Sequence, residues 1–268
     1  MKQLLTFKKT TALVATLAGF TLASPSVAQQ ASGGLYFSGS FGLASLMKSN
    51  NAGALTSDFT TGAGTTIPAG TVLPSGTDLA WDTDFKSGYN FALGMGYDYG
   101  NGFRTEFEVR YIDSDVDSHD GVLVGGGAIG TEDAGVLITG SPNLGADVAT
   151  IVADGQGSVS TLAFMGNTYY DFMAGEAFSP YLGAGIGYSS NSVKFSPSAV
   201  GVADDKDGAL AFQLIAGADF DLNDQTTLFA DYRYFMSQKV KTQLDLLPGE
   251  LKVENKASLF NIGVRYRF

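Results

Sequence analysis

The sequence predicts an all-β chain, an eight-stranded antiparallel transmembrane up-and-down β-barrel with four long extracellular loops. Three observations predict it. Eight segments of about ten residues alternate between apolar and polar positions, the period of a strand with two unlike faces. The connections between them alternate between short and long. The first thirty residues read as an export signal.

Composition narrows the field first. The chain has 268 residues, 35 of them Gly and none Cys, with a formal net charge of -11. At 44% hydrophobic residues it has too much apolar content for a disordered chain. An excess of acid argues against a nucleic-acid partner, because phosphate binding is driven by clustered Lys and Arg. Without Cys there are no disulfides, no thiolate zinc sites and no thiol nucleophile. One histidine, His119, leaves little for metal or triad chemistry. No enzyme activity, cofactor or metal is expected.

Along the chain, Lys2, Lys8 and Lys9 precede the apolar run Ala12 to Ala23, and Ser26-Val27-Ala28 places small residues where a signal peptidase reads them. Cleavage after Ala28 divides the chain into a signal peptide, 1–28, and a barrel domain, 29–268. The apolar run is shorter than the about 20 residues a spanning helix needs. The first strand then alternates through Leu35, Phe37, Phe41 and Leu43, and the second through Tyr89, Phe91, Leu93, Met95, Tyr97 and Tyr99. Phe103, Phe107, Val109 and Tyr111 alternate with Arg104, Glu106, Glu108 and Arg110 in the third. The fourth carries Leu162, Phe164 and Tyr170, the fifth Leu182, Ile186 and Tyr188, and the sixth Leu210, Phe212, Leu214 and Phe220. The seventh carries Leu228, Tyr232 and Tyr234 against Asp231 and Arg233; the eighth carries Phe260, Ile262, Val264, Tyr266 and Phe268 against Arg265 and Arg267.

Asn101-Gly102, Met173 to Ser179 and Asn223-Asp224-Gln225 make the short connections, the first being a strong hairpin signal. The long ones run roughly 45–84, 113–157, 190–207 and 237–256. A soluble sandwich has no reason to gather every long loop at one end, whereas an outer-membrane barrel has short periplasmic turns and long outer loops. A lipid-facing Arg or Lys costs about 2–4 kcal/mol at the midplane, so the apolar face points outward and the charged face inward. Tyr97, Tyr99, Phe103, Tyr170, Phe172, Phe220 and Phe268 form a periplasmic aromatic girdle, and Tyr111, Tyr188, Tyr234 and Phe260 an outer one.

The inward charges are Asp98, Arg104, Glu106, Glu108, Arg110, Asp171, Asp219, Asp231, Arg233, Arg265 and Arg267. They nearly balance, and an eight-stranded interior is just wide enough to be filled by side chains. A plugged lumen with an ion-pair network is expected. The inward glycines of Gly94-Met95-Gly96 and Gly183 to Gly187 are expected to make room for the arginines. Asp113-Ser114-Asp115-Val116-Asp117 resembles the start of a calcium loop but lacks its glycine and terminal Glu. His119 is expected to be a solvent-exposed loop residue. In the second loop, Val122-Leu123-Val124, Val136-Leu137-Ile138 and Val148 to Val152 are candidate strand extensions, and ten spanning strands are the alternative count. Counted with Lys86 at the edge of the first, the outer loops hold 18 acids against eight Lys, an acidic crown.

The runs Gly102 to Glu108, Ser179 to Gly185, Asp231-Tyr232-Arg233-Tyr234 and Asn261 to Phe268 resemble the bacterial outer-membrane β-barrel and surface-antigen superfamily, which includes the OmpA membrane domain. The resemblance covers essentially the whole mature chain. It implies residence in the outer membrane of a Gram-negative bacterium, among lipid and lipopolysaccharide, and the terminal Tyr266 and Phe268 as the signal read by the barrel-assembly machinery. Because the chain ends at the barrel, no peptidoglycan-binding domain is expected. The function expected is a surface-exposed structural protein or antigen with a plugged lumen. A narrow porin-like diffusion channel, and an adhesin binding a host or environmental ligand through its loops, stay open.

Overall fold

The structure, a computed structural model, describes residues 33–62, 68, 70–135, 144–174, 176–199, 201–245 and 247–268. The expected signal peptide with its cleavage point at Ala28, and Val136-Leu137-Ile138, lie outside the described residues. The strands are β1 (Gly34–Leu46), β2 (Ser49–Leu55), β3 (Phe59–Thr60), β4 (Val72–Leu73), β5 (Asp78–Phe85), β6 (Gly88–Asp98), β7 (Phe103–Val124), β8 (Gly127–Ala128), β9 (Gly157–Asp171), β10 (Phe178–Phe195), β11 (Ala203–Asp221), β12 (Thr226–Gln243) and β13 (Gly249–Arg267), with one short helix, α1 (Val148–Val152).

Eight of these strands close a ring. Its order is β1, β6, β7, β9, β10, β11, β12, β13 and back to β1, every neighbouring pair antiparallel. The seam between first and last strands is continuous from Tyr36 opposite Arg267 to Leu46 opposite Ala257. The turn after β6 is built as its sequence dictates. Gly100 and Gly102 take positive φ, the Asp98 carboxylate accepts from the Gly100 N–H, and the Asn101 side chain accepts from the Phe103 N–H.

The strands run well past the membrane. β7 has 22 residues, whereas a tilted spanning strand needs about 9–11. Its outward face explains why. From Phe103 through Phe107 to Tyr111 that face is apolar or aromatic apart from Thr105, and it continues as Asp113, Asp115 and Asp117; the inward face changes in the opposite sense, from Arg104, Glu106, Glu108 and Arg110 to Ile112 and Val116. β13 shows the same inversion in reverse order, with Leu251, Val253, Ala257 and Leu259 buried above and Asn261 and Arg265 buried below. One strand thus serves two solvents. Where lipid surrounds it the apolar side faces out, and where water surrounds it the apolar side turns in, each choice avoiding the cost of desolvating charge. Ile262 is 70% exposed in the lower storey, while Val116 is fully buried in the upper one.

Segments 45–84, 113–157, 190–207 and 237–256 are therefore not simply loops, a correction to the sequence reading. Above Leu46 and Gly88 the places of β1 and β6 are taken by β2 and β5, which pair with each other, with β13 and with β7. Met47-Lys48 and Lys86-Ser87 mark the exchange of strands, and there the Met47 N–H reaches the Lys256 carbonyl and the Lys86 N–H the Asp115 carbonyl. Inside this outer storey lies an apolar core that includes Leu46, Leu79, Val116, Phe195, Phe235, Leu251 and Leu259.

One further expectation changes. Val122-Leu123-Val124 ends β7, but Val148–Val152 is helical: the Asp147 carboxylate caps it by accepting from the Thr150 N–H, and Val148 packs against Ile129 and Ala134. The ring has the expected eight spanning strands, and the ten-strand alternative falls away. Asp113, Asp115 and Asp117 stand on an extended strand, which cannot wrap a cation as a loop does.

Candidate functional site

The lower lumen is closed by side chains from opposite walls. Arg104, on β7, places its Nε 2.6 Å and its Nη2 2.7 Å from the two oxygens of Asp171 on the adjacent β9, a bidentate pair. Its Nη2 also lies 3.5 Å from Asp219 on β11, which takes Arg265 of β13 at 2.7 Å. The aromatic rings of Tyr36, Tyr169 and Tyr181 surround the Arg104 guanidinium, with its carbon 4.8 Å from the Tyr169 centroid. At the periplasmic rim Arg267 donates to Asp98 at 2.8 Å.

One layer up, Glu108 is shared. Its Oε1 accepts from Arg110 Nε at 3.0 Å and its Oε2 from Arg233 Nη1 at 2.7 Å. β7 and β12 stand four places apart in a ring of eight, so the Glu108–Arg233 pair crosses the full width of the lumen. Arg233 also pairs with Asp231 at 2.8 Å. Neutral groups complete the layer: Arg110 donates to Asn90 and to Asn261, Asn261 donates to Asp231 at 2.6 Å, and Gln213 donates to Asn167 at 2.8 Å. Glu106 accepts from Ser38 and from Tyr169, both at 2.8 Å. Arg104 and Arg110 are at most 1% exposed.

All eleven charged residues singled out from the sequence face this network or its rim. Left out of the expected charge network, although alternation puts them on the polar face, were Asn90, Asn167, Gln213 and Asn261; missed were the tyrosines Tyr36, Tyr169 and Tyr181. Alternation could have found the tyrosines, since each has the parity opposite to the lipid-facing residues of its strand. The glycines are corrected accordingly. A Cβ at Gly96 would overlap the Tyr36 ring, one at Gly183 would reach 2.6 Å from the Tyr169 ring, and one at Gly185 would overlap Asn167. They make room for the aromatic and amide partners around the arginines rather than for the arginines themselves.

Tyr266 and Phe268 lie at the closing seam with ring centroids 5.4 Å apart, and Phe37 of β1 packs edge-on against Phe268 at the same distance. On the outer surface part of the acidic crown is neutralised locally: Lys48 lies within 3.4 Å of Asp82, Asp84 and Asp120.

A family model described as an outer membrane protein beta-barrel domain matches residues 12–268. The chain belongs to this outer-membrane β-barrel family. It resides in the cell outer membrane, in contact with membrane lipid. No curated protein matches it. Among solved structures the barrel is similar to OprG from Pseudomonas aeruginosa, with 16% identity, 88% of this chain and 96% of that one covered, and a TM-score of 0.48. It is similar to Neisserial surface protein A at 16% identity, 87% and 97% coverage and a TM-score of 0.42. It is also similar to Ail of Yersinia pestis at 12% identity, 85% and 99% coverage and a TM-score of 0.34.

His119 departs most from expectation. It is 4% exposed, on β7 in the outer storey, with its ring 4.8 Å from that of Phe195. Sequence placed it on an exposed loop because it follows a run of aspartates; a register shift near Val116 and Ser118 turns it inward. Burial depresses its pKa from 6.5 to about 4, against a smaller upward pull from Asp154 and Asp120. At neutral pH it is uncharged in both folded and unfolded chains. As pH falls from 6.5 towards 4 the unfolded chain takes up the proton first, so the outer storey loses stability over that window, by about 3 kcal/mol once below it. The emission of Trp81, whose ring lies 6.5 Å from that of His119, is expected to report opening between pH 6.5 and 4. His119→Phe should remove that part of the transition; identical pH profiles for the two proteins would disprove it.

Proposed function

We propose that this barrel is a surface-exposed structural protein or antigen of the outer membrane, with a lumen closed by its ion-paired side chains. The observation that carries the reading is Glu108 bound at once by Arg110 and, across the lumen, by Arg233. A carboxylate held between two guanidiniums across the lumen supports a closed layer, because opening it would leave buried charges unpaired at a cost of several kcal/mol. What the environment meets is the outer storey. Its surplus of carboxylates favours divalent cations or basic surfaces as contacts over anionic ones. No catalytic role is assigned to it: the single histidine sits among Trp81, Phe195 and Thr83. Tyr266 and Phe268 are assigned to recognition by the barrel-assembly machinery.

Conductance separates this reading from a narrow diffusion channel. The purified protein in planar bilayers is expected to give no stable unitary steps, whereas Arg104→Ser with Arg110→Ser, if it still folds, opens them. Steady steps from the unaltered protein would sink the plug.

A further inference from the structure

The wall of the outer storey is not bonded in the same way all round. β11 and β12 lie side by side, and their pairing is regular from Asp221 opposite Thr227 up to Ala211 opposite Ser237, where it stops. Both strands continue. Above that point β11 stays paired with β10 as far as Ala203 opposite Phe195, and β12 stays paired with β13 as far as Gln243 opposite Glu250. The cause is local. Between Ser237 and Val240 the register of β12 against β13 shifts, and a strand that takes up an extra residue to keep step with one neighbour loses step with the other.

Two carboxylates bridge this seam. Asp207 takes the Gly208 N–H on one oxygen at 2.8 Å and, from across the seam, the Lys241 N–H on the other at 3.0 Å. Asp205 repeats the arrangement, with the Lys206 N–H at 2.7 Å and the Gln243 N–H at 3.1 Å. Above them the Asp245 N–H reaches the Val202 carbonyl at 2.9 Å. Side chains thus take the part that backbone carbonyls play in a regular antiparallel ladder. What lies behind the seam is apolar. Ala203, Ala209, Phe235 and Val240 belong to the core of the outer storey, and Val202 and Leu244 border an apolar cavity whose lining also includes Trp81, His119 and Phe195. In front of it Lys239 and Lys241 are exposed, which places the seam above the hydrocarbon.

We propose that the outer storey opens sideways along the β11–β12 seam, with Asp205 and Asp207 as its latch, and that opening exposes the apolar interior while the plug below stays closed. β11 and β12 each remain paired on their far side, with β10 and β13, so the two edges part as intact pieces of sheet. The regular pairing below Ala211 and Ser237 is the hinge. The latch depends on the carboxylate itself. Each bridge needs an acceptor for each edge; an asparagine offers one oxygen and sets its own NH₂ against the second backbone N–H.

The test uses the mature protein in phospholipid nanodiscs. In the unaltered protein, amide hydrogen exchange at Lys241 and Gln243 is expected to be about tenfold faster than at Val193, which stands level with Asp205 but is paired on both sides, with Asp205 and with Val159. Because the chain contains no Cys, a single introduced thiol reports opening. Ala203→Cys and Ala44→Cys start equally buried, each position being 1% exposed; the first lies beside the seam and the second on β1, away from it. With Asp205→Asn and Asp207→Asn added, a water-soluble maleimide should label the first about tenfold faster, the effect of losing a charge-assisted hydrogen bond, and the second within about twofold of its former rate. Asp204→Asn, whose carboxylate lies 3.8 Å from Lys194 instead, should change neither. Exchange at Lys241 and Gln243 as slow as at Val193, labelling of Ala203→Cys that the latch substitutions leave unchanged, or equal acceleration of both thiols would each overturn the proposal. The exchange comparison needs no variant, so it decides even if the double substitution fails to fold.

Discussion

Glu108→Gln should destabilise the barrel by about 3–5 kcal/mol, the usual consequence of removing one partner from a buried ion pair. The glutamine keeps the volume and one acceptor, so the loss isolates charge. Arg233 retains Asp231. Arg110 does not have a second carboxylate: its remaining acceptors are the neutral side chains of Asn90 and Asn261. A guanidinium buried at 0% exposure is then left with half-charges for partners. Arg110→Met in the same background should recover part of the loss, giving a coupling of about 1–3 kcal/mol between the two positions. Urea unfolding in lipid vesicles, followed by the mobility difference between unboiled folded and boiled unfolded protein, measures all four corners of the cycle. A loss below about 1 kcal/mol, or simple additivity, would mean that the plug is not held by this carboxylate.

Gly42→Val should prevent barrel closure. Gly42 sits on β1 opposite Asn261 of β13, at the seam where the last strand meets the first. An added Cβ would overlap the Phe260 carbonyl oxygen and lie 2.7 Å from Asn261 Oδ1 and 2.8 Å from Asn261 Cα. Backbone cannot give way as a flexible side chain can. Nor can Asn261 swing aside, because its amide donates to Asp231 and its oxygen accepts from Arg110. The cost therefore exceeds the about 1–3 kcal/mol of ordinary overpacking. On an unboiled gel the variant is expected to lack the compact folded band. Gly39→Ala, on the same strand, is the control: its Cβ would meet only Leu93 Cδ2 at 3.6 Å, an ordinary contact. A Gly42→Val protein that folds like the parent would refute the close approach.

The lower storey was legible because it obeys one rule. Between Phe103 and Tyr111 the outward and charged faces alternate in parity, with Thr105 the one polar residue on the outward face, and the short turns carry strong signals at Asn101-Gly102. The upper storey was not legible in the same way, although it alternates too. At Asp113, Asp115 and Asp117 the outward parity becomes acidic, and in isolation an acidic, Gly-rich stretch reads as loop. The inward set above it, Ile112, Val116, Val159, Val193 and Phe195, is scattered over three strands and forms a core only when they pair. His119 was misplaced for a related reason, since the irregular register between β5 and β7 near Asp84 and Phe85 shifts its parity.

The sequence by itself determined the strand count, the lipid-facing surface and the identity of every charged residue in the lumen. Those follow from local parity and from the cost of placing charge in hydrocarbon, quantities each residue carries with it. Only the tertiary structure decided which charges meet. Arg233 reaches Glu108 across 125 positions of chain, and Asn255 reaches Thr161 and Asn191 across 94 and 64. It also decided that the acidic crown covers an apolar interior, and that Trp81 and His119 share one cavity. Contacts of this kind depend on the closure of a ring, and closure is a property of all eight strands together rather than of any segment.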